Sequence, residues 1–170
     1  DMDALKSDDV DSILPLFLPV DSEAYYGIAG TAVRTLMRLV DTGLYPDKAY
    51  IMQKTEDENG ALQKVEGEKG FVSALGGKGN ALQFTASVFG QEEFASVDED
   101  ALDAIGELLN CINGLYVSEC KDGSSLELMP PSFKTGIQGF ESRKMLVLPI
   151  HIKNDCVDLM IAIGDEIEMK

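Results

Sequence analysis

Four residues at helical spacing are of types that can bind another molecule. Asp103, Glu107 and Asn110 follow one another at intervals of four and three residues, and Gly114 continues the row. At about 100° per residue, the four positions fall within an arc of roughly 60° on a helix. Carboxylates pair with cations, and a carboxamide both donates and accepts hydrogen bonds. The row therefore predicts a helix face that binds a partner.

An amphipathic helix must carry this row. Apolar residues lie on the opposite side of the same stretch and predict which face is buried. They are Leu102, Ile105, Leu109, Ile112 and Tyr116. The predicted helix begins at Asp98 and continues to about Val117. Because the apolar side packs in the core, the polar row is turned toward solvent or a partner.

The rest of the chain alternates helix and strand patterns. Ser22 is predicted to cap a first helix that stops at Gly43, and Pro46 prevents the helix from resuming. Short runs at 49–53, 60–65, 70–75 and 81–89 are β-rich or alternating, and they suggest an antiparallel meander. Three further strands are predicted at 125–129, 144–153 and 156–163. Residues 153–155 are typical of a hairpin turn between the last two strands.

The order of helix, strands, helix and strands predicts an α+β fold, in which two long helices pack on a mostly antiparallel β-sheet. Residues 1–21 are acidic and are interrupted by Pro15 and Pro19, which favours an extended lead-in. Residues 22–170 are predicted to form a single domain, since a 170-residue chain with 45% apolar content suits one compact core. Asp1 precedes Met2, which leaves a longer polypeptide with a further domain open.

Composition argues against several classes of function. Thirty acidic and fourteen basic residues give a net charge of -16, so the phosphates of nucleic acids and anionic membranes would be repelled. No apolar run approaches the ~20 residues of a membrane span and no secretory signal is visible, so we expect a cytoplasmic protein. The three cysteines lack the paired spacing of zinc or redox sites, which predicts reduced thiols and no metal.

A looser pattern relates the two predicted helices. Glu23 and Tyr26 repeat the spacing of Glu107 and Asn110, and a glycine follows four residues after each pair. A duplicated half-domain would produce this match, and so would chance. The first copy has a phenol where the second has a carboxamide, so the two helices cannot do the same chemistry. Only the second helix is a candidate site.

The polar row and a later proline pair together resemble the signature of the CheC/CheX/FliY phosphatases of bacterial chemotaxis. The matching residues are Asp103, Glu107, Asn110, Pro130 and Pro131. The similarity spans residues 23–163 and is closest to the CheX branch, which the strand end at 126–131 and the closing hairpin at 145–163 also resemble. Two-site members carry Glu-x-x-Asn twice, whereas Tyr26 replaces the first Asn here. The resemblance therefore indicates a single-site, CheX-like protein with the helix, strands, helix, strands pseudo-repeat of that family.

The resemblance implies hydrolysis of the aspartyl phosphate of a CheY-like response regulator. Asn110 would position the attacking water, because a neutral carboxamide does not repel the phosphoryl group. Glu107 would dock against the lysine that response regulators carry beside the phosphoaspartate. The remaining residues implied in partner binding are Asp103, Gly114, Pro130 and Pro131. The chain would have no cofactor of its own, Mg²⁺ would belong to the regulator, and two copies would form a homodimer.

Two other hypotheses stay open. One is a non-catalytic CheX-like module that binds a response regulator or a motor-switch component. The other is a structural or ion-binding domain whose polar helix face is simply solvated. Residues 55–66 follow most of the spacing of a calcium-binding loop, but Thr55 replaces the first Asp, and a hairpin turn is favoured.

Two further features favour structural roles. The Gly-Gly-Lys-Gly sequence at 76–79 lacks the spacing of a phosphate-binding loop and predicts a turn. His151 lies in an alternating strand, and we expect it to be a partly buried structural residue rather than a catalyst.

Overall fold

The computed structural model describes residues 10, 14–19, 23–56, 58–120, 125–137 and 139–170. A 3-10 turn at Leu14–Leu16 precedes three helices: α1 (Glu23–Leu39), α2 (Asn80–Gly90) and α3 (Glu99–Glu119). The strands are β1 (Tyr45–Pro46), β2 (Tyr50–Lys54), β3 (Asn59–Gly67), β4 (Phe71–Gly77), β5 (Leu126–Leu128), β6 (Ser132–Phe133), β7 (Phe140–Ile152), β8 (Asp155–Ile163) and β9 (Glu168–Met169).

Among the described residues, nine strands form one sheet in which every pairing is antiparallel. The path runs β1-β7-β8-β4-β3-β5, with β2 and β9 also paired to β7 and β6 also paired to β3. The long β7–β8 hairpin turns at Lys153 and Asn154, which both have positive φ, as a tight two-residue turn requires. The predicted α+β class, antiparallel sheet and closing hairpin are thus confirmed.

Helix α2 corrects one prediction, because residues 80–90 are helical whereas 81–89 were expected to form a strand. Ala81, Leu82, Thr85 and Ala86 are its buried residues, and this spacing gives one helix face. The Thr85 hydroxyl donates to the Ala81 carbonyl at 2.7 Å, so a β-branched polar residue is accommodated inside the helix. The described chain therefore has three helices rather than two.

The predicted meander is also wrong in part. Strands β3 and β4 pair with each other, but β2 pairs with β7, so β2 and β3 do not form a hairpin with each other. Gly60 and Gly76, which resemble turn residues in the sequence, lie opposite each other in β3 and β4. A Cβ on Gly60 would overlap the Leu75 carbonyl. Close approach of two strands therefore explains this glycine.

The sheet has a different core on each face. The larger core lies between the sheet and the helices, and residues of β3 such as Ala61 and Val65 belong to it. The smaller core lies on the opposite face and includes Val72, Phe140 and Met160. This arrangement places α3 against β3, with its apolar side toward the sheet.

The N-terminal lead-in is described only in part. Leu14 and Leu18 are buried in the larger core, and the Phe17 carbonyl accepts a hydrogen bond from the Ala49 amide at 2.6 Å. Ser22, the expected cap of α1, lies outside the described residues. The division into a lead-in at 1–21 and a domain at 22–170 stays a prediction. Within the described ranges, no helix is long and apolar enough to span a membrane.

We predict that Glu58 makes stability depend on pH. The residue is 2% exposed, and burial of its carboxyl together with the neighbouring Asp158 raises the pKa of Glu58 to about 9. Above the ordinary pKa of a glutamate, the unfolded chain therefore loses the Glu58 proton while the folded protein keeps it. The free energy of unfolding then falls as the pH rises toward 9. The slope is at most about 1.4 kcal/mol per pH unit. The Glu58→Gln variant keeps a hydrogen-bond donor without a titrating group.

Thermal unfolding of wild type and Glu58→Gln at a series of pH values measures this effect. The wild-type melting temperature is expected to fall relative to that of the variant between about pH 5 and pH 9. Parallel curves for the two proteins would contradict the assignment.

Candidate functional site

The polar row lies on the exposed side of α3, as the sequence predicts. Asp98 caps the helix, and its Oδ1 accepts a hydrogen bond from the Ala101 amide at 3.0 Å. Asp103, Glu107 and Asn110 are exposed. The opposite side is buried in the core, with 0% exposure for Leu102, Ile105, Leu109 and Ile112. Burial of these apolar residues fixes the rotation of the helix and thereby the direction of the row.

The two carboxylates of the row keep their charge available. Among the described residues, neither Asp103 nor Glu107 has a hydrogen-bond or salt-bridge partner. An unpaired, solvated carboxylate can bind a cationic side chain of another protein without first losing an internal partner. This is the property that a docking residue needs.

Asn110 differs from the carboxylates because the sheet holds it. Its Oδ1 accepts a hydrogen bond of 2.7 Å from Nε2 of Gln63, a residue of β3 that is 0% exposed. The contact joins residues 47 positions apart in the chain. One end of an exposed side chain is thus anchored to the buried surface of the sheet.

Gln63 is the centre of a buried polar network. Its Nε2 also donates to the Met129 carbonyl at 2.8 Å, and its Oε1 accepts from Asn113 Nδ2 at 2.8 Å. Asn113 Nδ2 donates in turn to Ser73 Oγ on β4 at 2.9 Å. Asn113 and Ser73 are both 0% exposed. Every hydrogen-bonding atom of the Gln63 side chain therefore has a partner, as a buried amide requires.

The proline pair lies beside α3. The Met129 amide donates to the Lys64 carbonyl at 2.9 Å, which fixes this segment next to β3. A Cβ added at Gly106 would lie 3.2 Å from Cβ of Pro131, so the helix and the proline are in close contact there. Pro130 is exposed. The structure thus places Pro131 against α3 at Gly106, one turn before Asn110, and leaves Pro130 at the surface next to it.

Gly114 ends the row in open space. A Cβ added at this position would meet no atom within 4 Å, and the residue is partly exposed. Gly30, the corresponding glycine of α1, is buried. The loose repeat therefore does not give the two helices equivalent surfaces.

The first copy of the pattern borders a groove of about 370 Å³ between α1 and α3. Tyr26 lies there with Tyr116, whose ring is packed against Gly27. Arg34 and Glu119 also line the groove, with 4.0 Å between Arg34 Nη2 and Glu119 Oε2. Tyr26 therefore borders a groove that α1 shares with α3, whereas Asn110 lies on an exposed helix face.

His151 is held at the other end of the sheet. Its Nε2 lies 2.8 Å from Asp47 Oδ2, and its ring stacks on Tyr45 with 4.8 Å between centroids. The hydrogen bond with His151 lowers the pKa of Asp47. These contacts give the histidine a structural role. Within the ranges described, no group of three or more His, Cys, Asp or Glu side chains could hold a metal ion.

Gln63, Asn113 and Ser73 are the residues of the site that sequence reasoning missed. Gln63 lies between Ala61 and Val65 in the alternation of β3, so its position predicts an inward side chain. A polar residue at an inward position needs a buried partner. Asn113 follows Asn110 by three residues and falls toward the same side of the helix. These signals indicate a buried network, although the sequence alone does not pair its members.

Comparisons with known proteins give a family and a shared fold. The family model described as chemotaxis phosphatase CheX matches residues 60–151. A comparison with curated protein sequences gives no match.

Solved structures of low sequence identity share the fold. A chemotaxis protein CheX from Desulfovibrio desulfuricans is similar with a TM-score of 0.66 and 16% identity, over 84% of this chain and 99% of that one. CheX from Vibrio vulnificus gives a TM-score of 0.65 and 14% identity, over 84% and 100% of the two chains. A CheX–CheY–BeF3–Mg²⁺ complex from Borrelia burgdorferi gives 0.55 and 18%, over 83% and 97%.

We predict that valine is tolerated at Gly114 but not at Gly106. Both substitutions place the same branched residue inside α3, but only at Gly106 does the new side chain meet Pro131. Such overpacking costs about 1–3 kcal/mol. Urea unfolding is expected to show that Gly106→Val is less stable than Gly114→Val by this amount. Equal stability of the two variants would contradict the contact between the helix and the proline segment.

Proposed function

The chain belongs to the CheX family of chemotaxis phosphatases, and we propose that it hydrolyses the aspartyl phosphate of a CheY-like response regulator. The observation that carries the proposal is Asn110, an exposed carboxamide on α3 that is anchored from below by Gln63. The complex of CheX with CheY from Borrelia burgdorferi supports this class of partner.

The proposed reaction needs positioning rather than a nucleophilic side chain. An aspartyl phosphate already has a carboxylate as its leaving group, so a water molecule held in line with the P–O bond is what is missing. The water oxygen bonds to phosphorus, the bond from phosphorus to the aspartyl oxygen breaks, and its electron pair stays on the carboxylate. The water protons pass to the inorganic phosphate and to solvent.

Asn110 suits this task because its carboxamide is neutral. A carboxylate in the same place would repel the phosphoryl oxygens, whereas an amide can accept a hydrogen bond from water and donate one to an oxygen. Its anchor limits the conformations that the side chain must lose on reaching the transition state. No metal or cofactor of this chain takes part, and we expect Mg²⁺ to be bound by the regulator.

Glu107 would guide the regulator to Asn110. It lies one turn earlier on the same exposed face and has no internal partner among the described residues. We propose that it pairs with the lysine beside the phosphoaspartate of the regulator. Asp103 extends the acidic row, and the open space at Gly114 allows the partner to approach the helix. Pro130 and Pro131 would form the other edge of the contact.

The proposal extends to the cellular location, the oligomeric state and the effect of the net charge. We expect the protein to act in the cytoplasm, where response regulators are found. We also expect a homodimer that forms through the sheets, and β2 offers an edge on which Tyr50 and Ile51 are 44% and 40% exposed. Because the net charge is -16, close ion pairs at the site rather than long-range attraction would carry recognition of an acidic regulator.

Asn110→Ala is expected to abolish catalysis and keep binding. The truncation removes the carboxamide but leaves the docking carboxylate Glu107 in place. Decay of a phosphorylated CheY-like regulator should return to its spontaneous rate, a loss of at least about tenfold, since a positioned hydrogen-bonding group contributes on this scale. Binding of the regulator, measured by titration, should change by less than about threefold. Regulator decay that is as fast with the variant as with wild-type protein would remove Asn110 from the mechanism.

Glu107→Lys is expected to weaken binding of the regulator, because it places a cation against the partner's lysine. The matched control is Glu23→Lys, which makes the same charge change on the exposed start of α1. The dissociation constant should rise at least about tenfold for Glu107→Lys and stay near the wild-type value for Glu23→Lys. Equal weakening by both variants would point to overall charge, and an effect of Glu23→Lys alone would move docking to α1.

A further inference from the structure

The hydrogen bonds of Gln63 determine which way its amide points. The Met129 carbonyl oxygen can only accept a hydrogen bond, so the Gln63 atom 2.8 Å from it must be the nitrogen Nε2. The other amide atom, Oε1, then faces Asn113 Nδ2 at 2.8 Å. The orientation of this buried amide is thus set by a backbone group and does not depend on Asn110.

The orientation of Gln63 in turn fixes Asn110. Since Nε2 uses one hydrogen on the Met129 carbonyl, its second hydrogen points to Asn110 at 2.7 Å. The Asn110 atom that receives it must be an acceptor, which is Oδ1. Nδ2 of Asn110 is therefore the amide atom directed away from Gln63, and Oδ1 keeps one lone pair for a further hydrogen bond.

We propose that Gln63 is a positioning residue for catalysis, which holds Asn110 so that Nδ2 faces the phosphoryl group and the free lone pair of Oδ1 accepts a hydrogen bond from the attacking water. The inference rests on the proposed function. An Asn110 amide turned by 180° would place its acceptor oxygen Oδ1 against the phosphoryl oxygens and its donor nitrogen Nδ2 against Gln63 Nε2, which is also a donor. A hydrogen bond donated to Oδ1 also polarises the amide and strengthens the outward Nδ2–H as a donor.

Substitutions at two places in the buried network can distinguish this positioning role from a purely structural one. Ser73 lies at its far end, contacts Asn113 and makes no hydrogen bond with Asn110. Ser73→Ala therefore disturbs the same buried network without removing the anchor of Asn110. Gln63→Met removes the anchor and keeps a side chain of similar length. The two variants form a matched pair, because both leave a buried polar group of Asn113 with fewer partners.

Single-turnover dephosphorylation of a CheY-like regulator, at several concentrations of phosphatase, separates the maximal rate from the half-saturating concentration. For Gln63→Met we expect a maximal rate at least about tenfold lower, with half-saturation within about threefold of wild type. For Ser73→Ala we expect both values to stay within about threefold of wild type. A folded Gln63→Met protein with the wild-type maximal rate would overturn the inference, and so would an equal loss in Ser73→Ala.

Side-chain amide NMR tests the anchor in the wild-type protein, independently of activity and of the stability of Gln63→Met. In wild type, nuclear Overhauser contacts are expected between the side-chain NH₂ groups of Gln63 and Asn110, with the Asn110 signals identified by their loss in Asn110→Ser. Absence of these contacts would overturn the inference. A wild type that holds Asn110 in this way but does not accelerate regulator decay would overturn the proposed function and the catalytic part of the inference together. An active wild type with unaffected Gln63→Met would overturn the inference alone.

Discussion

A buried amide must have all of its hydrogen bonds made, and at Gln63 this requirement joins three separate parts of the chain. The side chain is buried under α3, so it cannot form hydrogen bonds with bulk water. Its partners come from the helix and from the segment before the prolines. Because every hydrogen-bonding atom of Gln63 needs a partner, this single residue of β3 is surrounded by Asn110, Met129 and Asn113. The geometry of the exposed face therefore depends on polar bonds in the core as well as on apolar packing.

Much of the fold could be predicted because its elements are long and strongly patterned. The apolar side of α3 and the alternation of β7 and β8 repeat over enough residues to identify both the element and its buried face. Helix α2 was missed because an 11-residue apolar run with few charges fits either period. The partner of β2 was missed because pairing with β7 joins strands that are distant in the chain, which no local pattern encodes.

The candidate site was likewise predictable only in part. Helical spacing was sufficient to place Asp103, Glu107 and Asn110 on one exposed face. The anchor of Asn110 was not predictable, because Gln63 meets it across 47 positions and a single inward glutamine gives no hint of which residue it will contact. The loose repeat in α1 had the right spacing, but Tyr26 faces a groove shared with Tyr116, and Gly30 is buried. Spacing therefore identified a candidate surface, and packing distinguished the two copies.

On the proposed function, the α3 face is catalytic and does more than bind a regulator. Its most direct test is release of inorganic phosphate from a large molar excess of phosphorylated CheY-like regulator. If the face is catalytic, each molecule of wild-type protein releases many phosphates, because the reaction leaves the phosphatase unchanged. A wild-type protein that binds the regulator while phosphate appears only at the regulator's spontaneous rate would contradict the claim and identify the chain as a binding module.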